Sequence, residues 1–201
     1  LPRRAQAAVH RPAATRRAAV AGGQRGVGGM LDRAPEIRET PVDGAILIGT
    51  AARSPAIAAL GLPLTGLGTE GYLIRSATVD GHRVTVIAAN HDLGLLYGAF
   101  HFLRLLQMQE PADNLDLRSA PRLKLRVANH WDNLNRTIER GYAGFSIWDW
   151  WRLPDHLDPR YTDYARANAS IGINGTVLNN VGAQAESLSA PYIAKAAALA
   201  A

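Results

Sequence analysis

Residues 123–152, LKLRVANHWDNLNRTIERGYAGFSIWDWWR, concentrate the side chains that can do chemistry. They hold all four tryptophans of the chain, which are Trp131, Trp148, Trp150 and Trp151. Polar side chains flank the first of these rings, namely Asn129, His130, Asp132 and Asn133. Aromatic rings cover the apolar C–H face of a sugar, while amides and carboxylates bind its hydroxyl groups. The stretch is therefore typical of a carbohydrate site, although large rings also serve ordinary packing.

Four carboxylates near the tryptophans are candidates for acid–base chemistry: Asp132, Glu139, Asp149 and Asp155. Glycoside hydrolysis needs an acid that protonates the leaving oxygen, and an inverting enzyme adds a carboxylate base about 6.5–9.5 Å away. Glu139 lies beside Arg140, which is typical of a paired loop carboxylate, and Asp132 precedes Asn133, which is typical of a turn. The spacing alone therefore assigns neither role.

Two long segments resemble the α-glucuronidases of glycoside hydrolase family 67. HWDNLNRTIERGYAGFSIWDW, followed by YARANASIGINGTVLNNV, is similar to the start of that family's catalytic domain. GYLIRSATVDGHRVTVIAANHDLGLLYGAFHFLRLLQ is similar to its N-terminal domain. The resemblance implies inverting hydrolysis of the α-1,2 bond between (4-O-methyl)glucuronic acid and xylose in xylo-oligosaccharides. It implies no cofactor and no metal.

The resemblance also implies a substrate-contacting tryptophan in the first strand-to-helix loop, at Trp148 with Trp150 and Trp151 as alternatives. The predicted substrate-binding group comprises Trp131, Asp132, Trp148, Trp150, Asn179 and Asn180. The family's acid and base carboxylates come from later strands, so no catalytic residue is assigned in this chain. Because the family's enzymes are much longer than 201 residues, we expect the front of such an enzyme, inactive by itself.

Two other functions fit the same residues. One is a different glycosidase with a similar two-domain front, such as a β-hexosaminidase. The other is a non-catalytic carbohydrate-binding module that uses Trp131, Trp148 and Trp150 as a platform. The reading frame beyond Ala201 distinguishes these interpretations, because only an enzyme continues as a barrel.

The charge distribution argues against a nucleic-acid partner. The formal net charge is +5, but residues 1–33 alone carry seven arginines and one aspartate, a net charge of +6. The remaining residues are close to neutral, so the excess belongs to an arm and not to the body. The arm is rich in Arg, Ala and Gly, and we expect residues 1–40 to be disordered or poorly docked. A helix over residues 16–31 is the alternative, although five glycines count against it.

The elements that must hold the site are predicted from periodicity. AILIGT is predicted to be a buried strand, and Ser54-Pro55 a helix start. GYLIRSATV and HRVTVIAA form a hairpin around Asp80-Gly81, and Asp92 caps a helix through residue 107. Residues 41–120 are thus an α+β N-terminal domain with its linker, in which His91 and His101 are structural.

Residues 121–201 predict a second domain, with strand LKLRVA, helix YTDYARANASIG, strand GTVLNN and a second helix. This alternation is typical of the first β/α units of a (β/α)8 TIM barrel, here truncated. The active site of such barrels lies at the carboxyl ends of the strands. With only two strands, we expect Val127, Ile171, Val177 and the tryptophans to be partly exposed.

The expected partner is a glucuronic-acid-substituted xylo-oligosaccharide, with no membrane span. The longest apolar run, LGLLYGAFHFLRLL, is short and contains His101 and Arg104. A homodimer would form only through chain beyond residue 201. The residues as given show no signal peptide, and the family includes intracellular and secreted members, so localisation is left open.

Overall fold

A computed structural model describes residues 6–8, 14–179 and 184–200 of the chain. It separates into two compact units, Leu1–Arg122 and Leu123–Ala201. The described residues form a mixed α/β structure with one large and one small sheet. The truncated TIM barrel stays a prediction.

The described part of the first unit contains one mixed six-stranded sheet. Strands β1 to β6 span Gln6–Ala8, Ile37–Arg38, Ala45–Gly49, Tyr72–Val79, His82–Ala89 and Asp116–Ser119. Helices α1 to α3 span Ala14–Leu31, Pro55–Ala59 and Asp92–Gln107. The strand order is β2-β1-β3-β5-β4-β6, parallel from β2 to β5, with β4 antiparallel to both neighbours.

The predicted hairpin is confirmed. Val79 pairs with His82, and Asp80 and Gly81 between them have φ angles of 49° and 82°. Two consecutive residues with positive φ are the geometry of a tight hairpin turn whose twist matches the strands. The start of α2 is confirmed as well, because the Ser54 hydroxyl accepts a hydrogen bond from the Ile57 N–H at 3.4 Å.

The sheet is covered on both faces. On one face, Val84, Val86 and Ala88 of β5 pack in a cluster with Ile57 of α2. On the other face, α3 approaches closely through Gly98, where an added Cβ would lie 2.7 Å from Ile87 Cγ2. The helix begins at Asp92 with His91 as its N-cap, one residue earlier than predicted, and Asp92 pairs with Arg53 at 3.2 Å.

His101 has a structural contact, as the sequence predicted. Its Nδ1 lies 2.9 Å from the Tyr72 hydroxyl, and the two rings meet edge to face at 5.7 Å. Burial lowers the pKa of His101, and the charge of Arg104 adds to that effect. The ring therefore fastens α3 to β4 in its neutral form.

The prediction of a disordered or poorly docked arm over residues 1–40 was wrong for α1, and the alternative of a helix over residues 16–31 is confirmed. This helix buries Ala19, Val20 and Val27, each 6% exposed or less. Two of its glycines, Gly22 and Gly26, lie at the contact with α3, and a Cβ at Gly26 would stand 2.6 Å from the Leu103 methyl carbons. Glycine lowers helix propensity, but here it permits close packing that offsets the cost. Residues 1–5 and 9–13 of the predicted arm lie outside the described residues.

The second unit has two short parallel strands, β7 at Val127–Asn129 and β8 at Gly175–Val177. Helix α4 spans Pro159–Ser170, a 3-10 helix spans Ala185–Leu188, and α5 spans Ala190–Ala200. The core is a cluster formed by Leu134, Trp148, Trp150, Leu153 and Tyr161. It lies under the loop that comes after β7 and not on the strands themselves.

The strand predicted over residues 123–128 is shorter than expected. The Asn174 side chain takes the place of a partner strand, because its Oδ1 accepts from the Arg126 N–H and its Nδ2 donates to the Lys124 carbonyl. Leu123 and Leu125 are 69% and 73% exposed, so no other element covers the face of the segment that carries them. A side-chain amide thus satisfies backbone groups that the pattern assigned to a sheet.

Candidate functional site

The site is built where the two parallel strands of the second unit end. Asn129 pairs with Val177, and the next residue, His130, donates its backbone N–H to the Val177 carbonyl at 2.9 Å. The residues immediately after β7 and β8 therefore meet at one edge of the small sheet. In sheets of parallel strands, ligands bind at this carboxyl edge.

His130 is the centre of the contacts at this edge. Its Nε2 lies 2.5 Å from the Tyr164 hydroxyl, and its Nδ1 lies 3.5 Å from Asp132 Oδ2. Its ring also meets the Trp148 ring at 5.4 Å with an interplanar angle of 61°. One imidazole thus joins the strand end, the loop and helix α4.

Trp148 stands inside a ring cluster. Its ring lies 5.3 Å from Tyr161 and 5.5 Å from Tyr164, the latter at 90°. Only 4% of Trp148 is exposed. The Tyr161 hydroxyl also accepts a hydrogen bond from the Asp149 N–H at 2.9 Å. These contacts hold the loop that carries Trp148 against helix α4.

The loop between the strands is firmly built from polar contacts. Asn133 Nδ2 donates to the Thr137 carbonyl, the Thr137 hydroxyl and the Glu139 carbonyl. Arg136 pairs with Asp149 at 3.0 Å and donates to the Ser146 carbonyl at 3.2 Å. Such a network favours one conformation of the loop because its members have defined partners.

Two non-glycine residues of this loop have strained backbones. Arg136 has a φ angle of 70° and Glu139 has one of 56°. The left-handed region costs energy for residues with a Cβ, and such residues cluster at functional sites.

Several buried polar atoms of this region have no hydrogen-bond partner among the described residues. They include Asp132 Oδ2, Glu139 Oε2, Trp148 Nε1 and Asn179 Oδ1. Folded proteins leave few such atoms, and ligand sites are one reason for them. Arg136 Nε and Trp150 Nε1 belong to the same group, so three of these atoms are acceptors and three are donors. Such a mixture suits a ligand whose hydroxyl groups both donate and accept hydrogen bonds.

The structure separates the predicted tryptophans into two kinds. Trp148 and Trp150 are 4% and 2% exposed, whereas Trp131 and Trp151 are 52% and 67% exposed. The expectation that all four rings are partly exposed was therefore wrong for the first pair. The Trp150 ring packs against Tyr192 at 5.8 Å, and its carbonyl accepts from Lys195 Nζ at 2.5 Å.

The remaining predicted site residues have different surroundings. Asp132 is 2% exposed, and it contacts His130, which also contacts Trp148. Asn179 lies just after β8 with a buried Oδ1, and Asn180 lies outside the described residues. Glu139 forms no ion pair with Arg140 among the described contacts, so the paired-carboxylate interpretation was wrong.

The sequence placed His130 in the polar stretch after the first strand but gave it no role in binding, and it did not indicate Tyr164 as a site residue. Tyr161 and Tyr164 share one face of α4 at a spacing of three residues, and both meet Trp148. That spacing on a predicted helix between two strands was the available signal. No group of three or more potential metal ligands occurs in the described parts of the chain. Likewise, no helix among those residues is long and apolar enough to span a membrane.

The fold has a counterpart among solved glycoside hydrolases. A structure described as a family GH115 4-O-methyl-alpha-glucuronidase with specificity for decorated arabinogalactans matches with a TM-score of 0.59 and 15% identity. The match covers 86% of this chain and 25% of that one. At this identity the likeness concerns the fold alone, and it extends over a quarter of a much longer chain.

Family profiles then identify the chain. The profile of the glycosyl hydrolase family 67 N-terminus matches residues 5–102, and that of the family 67 middle domain matches residues 105–201. The chain belongs to glycosyl hydrolase family 67.

Curated relatives carry matching names. A probable alpha-glucuronidase A of Aspergillus oryzae is 40% identical over 120 residues, which are 59% of this chain. One of Neosartorya fischeri is 32% identical over 171 residues, which are 82% of this chain. The aligned regions are 14% and 19% of those relatives, so the chain spans less than a fifth of their length.

Proposed function

We propose that this chain supplies the N-terminal domain and the first part of the catalytic domain of an alpha-glucuronidase. The enzyme hydrolyses the α-1,2 bond between (4-O-methyl)glucuronic acid and xylose in xylo-oligosaccharides, with inversion. The observation that carries the proposal is the match of two family 67 profiles, in order, over residues 5–102 and 105–201. The names of the relatives support the glucuronidase activity.

In this proposal the paired strands β7 and β8 are the first two of a (β/α)8 barrel. Their parallel pairing and the helix between them support it, because parallel neighbours in such barrels are joined by a helical crossover. An inverting reaction also needs an acid and a base about 6.5–9.5 Å apart. The proposal assigns these carboxylates to later strands and gives the present residues the task of holding the sugar.

The sugar contacts come from the partnerless atoms at the carboxyl edge. Asp132 Oδ2 and Asn179 Oδ1 accept hydrogen bonds from sugar hydroxyls, and Trp148 Nε1 donates one. A carboxylate that accepts from a hydroxyl in a dry site forms a strong, charge-assisted bond. Since these atoms are shielded from solvent in this structure, binding includes a local movement of the surrounding loop.

A non-catalytic carbohydrate-binding role is the second candidate. The observation that favours it is the exposure of Trp131, Tyr142 and Phe145, at 52%, 76% and 76%. Residues 132 and 138 and residues 137 and 145 form isolated antiparallel bridges, so these rings share one folded loop. Under this candidate the protein binds xylan and releases no uronic acid.

The test uses the full-length protein that carries this chain and measures release of 4-O-methylglucuronic acid from aldobiouronic and aldotriouronic acids. We expect turnover with inversion, seen by following the anomer first formed. Asp132→Asn should lower kcat/KM about 10–100-fold, the loss expected for a hydrogen bond to a charged group. Asp163→Asn, at a side chain of α4 that is 71% exposed, is the matched control and should change kcat/KM less than about twofold.

The outcomes separate the candidates. Binding of xylo-oligosaccharides without release supports the binding module, and release of N-acetylhexosamine from a hexosaminide supports a different glycosidase. Equal kcat/KM for wild type and Asp132→Asn contradicts the role given to Asp132.

A further inference from the structure

We propose that His130 is a positioning residue that holds the Asp132 carboxylate in the orientation needed to accept a sugar hydroxyl. Tyr164 in turn fixes the proton of the imidazole. This inference rests on the proposed function, because it takes the Asp132 carboxylate as a substrate contact.

The first observation is the pair itself. His130 Nδ1 lies 3.5 Å from Asp132 Oδ2, and the two side chains are 19% and 3% exposed. This distance is longer than a good hydrogen bond. The interaction between the two side chains is therefore a longer-range electrostatic one, which is stronger in a buried environment than in water. Oδ2 has no hydrogen-bond partner among the described residues. The lone pairs of Oδ2 are therefore available to another hydrogen-bond donor, while the imidazole limits the orientation of the carboxylate.

The second observation is the Tyr164 hydroxyl, 2.5 Å from Nε2 of the same ring. A neutral imidazole has one donor and one acceptor nitrogen, and an ionised carboxylate can only accept. In the arrangement that we propose, Nδ1 faces Asp132 and carries the proton, and Nε2 accepts from the Tyr164 O–H. A hydroxyl on the far nitrogen selects the tautomer in the same way that outer partners do at metal-bound histidines.

The third observation is that aromatic rings pack against the imidazole. The backbone N–H of His130 is tied to the Val177 carbonyl at 2.9 Å. The Trp148 and Tyr164 rings lie 5.4 Å and 5.3 Å from the imidazole centre, at angles of 61° and 69°. The ring is thus held at its backbone by β8 and at its edge by α4.

A cation of the same loop, Arg136, has another partner. Arg136 is paired with Asp149 at 3.0 Å and donates to the Ser146 carbonyl. Among the described ion pairs, His130 alone faces Asp132. The imidazole is consequently the group through which the carboxylate is oriented, and it acts on substrate through Asp132 and not by direct contact.

Two replacements of His130 separate its two nitrogens. In His130→Asn the amide nitrogen stands near the place of Nδ1, so a donor to Asp132 is kept and the Tyr164 contact is lost. In His130→Gln the amide group reaches the place of Nε2, so the Tyr164 contact is kept and the donor to Asp132 is lost. Both variants keep a polar amide at position 130, so they differ mainly in which nitrogen of the imidazole the amide replaces.

In the full-length enzyme we expect His130→Gln to lower kcat/KM about 10–100-fold and His130→Asn only about 2–5-fold. The loss should lie mainly in KM, because a misdirected carboxylate weakens binding of substrate and transition state together. His156→Gln, a half-buried histidine of the same unit, is the control and should match wild type. The reverse order, an equal loss or no loss in either variant overturns the proposal.

A readout without activity uses nitrogen NMR of the His130 ring in the 201-residue protein. We expect the proton on Nδ1 in wild type, and a mixture of tautomers in Tyr164→Phe and in Asp132→Asn. A proton on Nε2 in wild type overturns the proposal whatever the enzyme does. If the full-length protein releases no uronic acid while the NMR result holds, it is the proposed function that fails.

Discussion

The two units of the chain place their cores differently. In the first unit the strands themselves are buried, with Ile74 and Val86 at 0% exposure. In the second unit Val127 and Val177, which lie on the paired strands, are each 41% exposed. There the buried residues come from the loop and from α4, with Trp148 and Tyr161 as examples. An alternating apolar pattern therefore identifies a strand but not the layer that covers it.

The largest expected effect is in the aromatic core of the second unit. Trp148→Ala should lower the free energy of unfolding of this unit by about 3–5 kcal/mol, because it leaves a large cavity. Trp151→Ala is the matched control, since its ring is 67% exposed, and its effect should stay within about 0.5 kcal/mol. Urea unfolding followed by tryptophan fluorescence measures both, because three tryptophans remain in each variant. Equal midpoints for the two variants would contradict the division into buried and exposed rings.

Two isoleucines, one in each unit, test this difference between the units. Ile74→Ala should cost about 2–5 kcal/mol, whereas Ile171→Ala, at 66% exposure, should cost less than about 0.5 kcal/mol. All four tryptophans lie at residues 131–151, so their fluorescence reports the second unit. Far-ultraviolet circular dichroism reports both units. If the two units unfold separately, Ile74→Ala should move the dichroism transition and leave the fluorescence transition unchanged. A common shift of both signals would show that the two units unfold together.

A smaller effect tests how helices lie on the first sheet. Gly98→Ala should destabilise the first unit by about 1–3 kcal/mol, because its Cβ would stand 2.7 Å from Ile87 Cγ2. Gly29→Ala in α1 is the control, since nothing lies within 4 Å of its added Cβ. It should stabilise the same unit by up to about 1 kcal/mol through helix propensity. Thermal unfolding followed by circular dichroism distinguishes the signs, and a stabilised Gly98→Ala would contradict the close approach.

The smallest effect concerns the start of α4 in the second unit. Hydrogen bonds from the Arg160 side chain and backbone lower the pKa of Asp158 from 3.8 to about 2. A lowered pKa means that the cap is fully effective above the ordinary value and is lost as the pH falls toward about 2. We expect the helical signal of wild type to decline in this window more than that of Asp158→Asn, which caps without titrating. Identical acid titrations of the two proteins would show that Asp158 contributes nothing to the transition.

The parts of the fold that local chemistry decides were predictable. The Asp80-Gly81 hairpin and the Ser54-Pro55 helix start depend on residues adjacent in sequence, and both are present. A disordered or poorly docked arm was preferred over a helix at residues 16–31 because the benefit of Gly26 depends on Leu103, which is far along the chain. A propensity scale has no information about such a partner.

The site was predicted in part for the same reason. Asp132 and Asn179 come after predicted strands, and the structure brings the two strand ends together. Their role in binding stays a prediction. His130 and Tyr164 are joined across 34 positions, and neither has a neighbour in sequence that reveals the contact. Which tryptophans are buried likewise depends on where α4 and α5 pack, and composition does not contain that information.

The position of β1 in the sheet has a consequence for the order in which the chain folds during synthesis. Gln6 pairs with Ala45, and β1 lies between β2 and β3, which both come after it in the chain, so β1 must wait for both. The β4–β5 hairpin closes locally and is expected within microseconds of its release from the ribosome. At about 5–20 residues per second, β1 spends seconds without a partner. The pairing of β1 thus depends on segments that are synthesised after it.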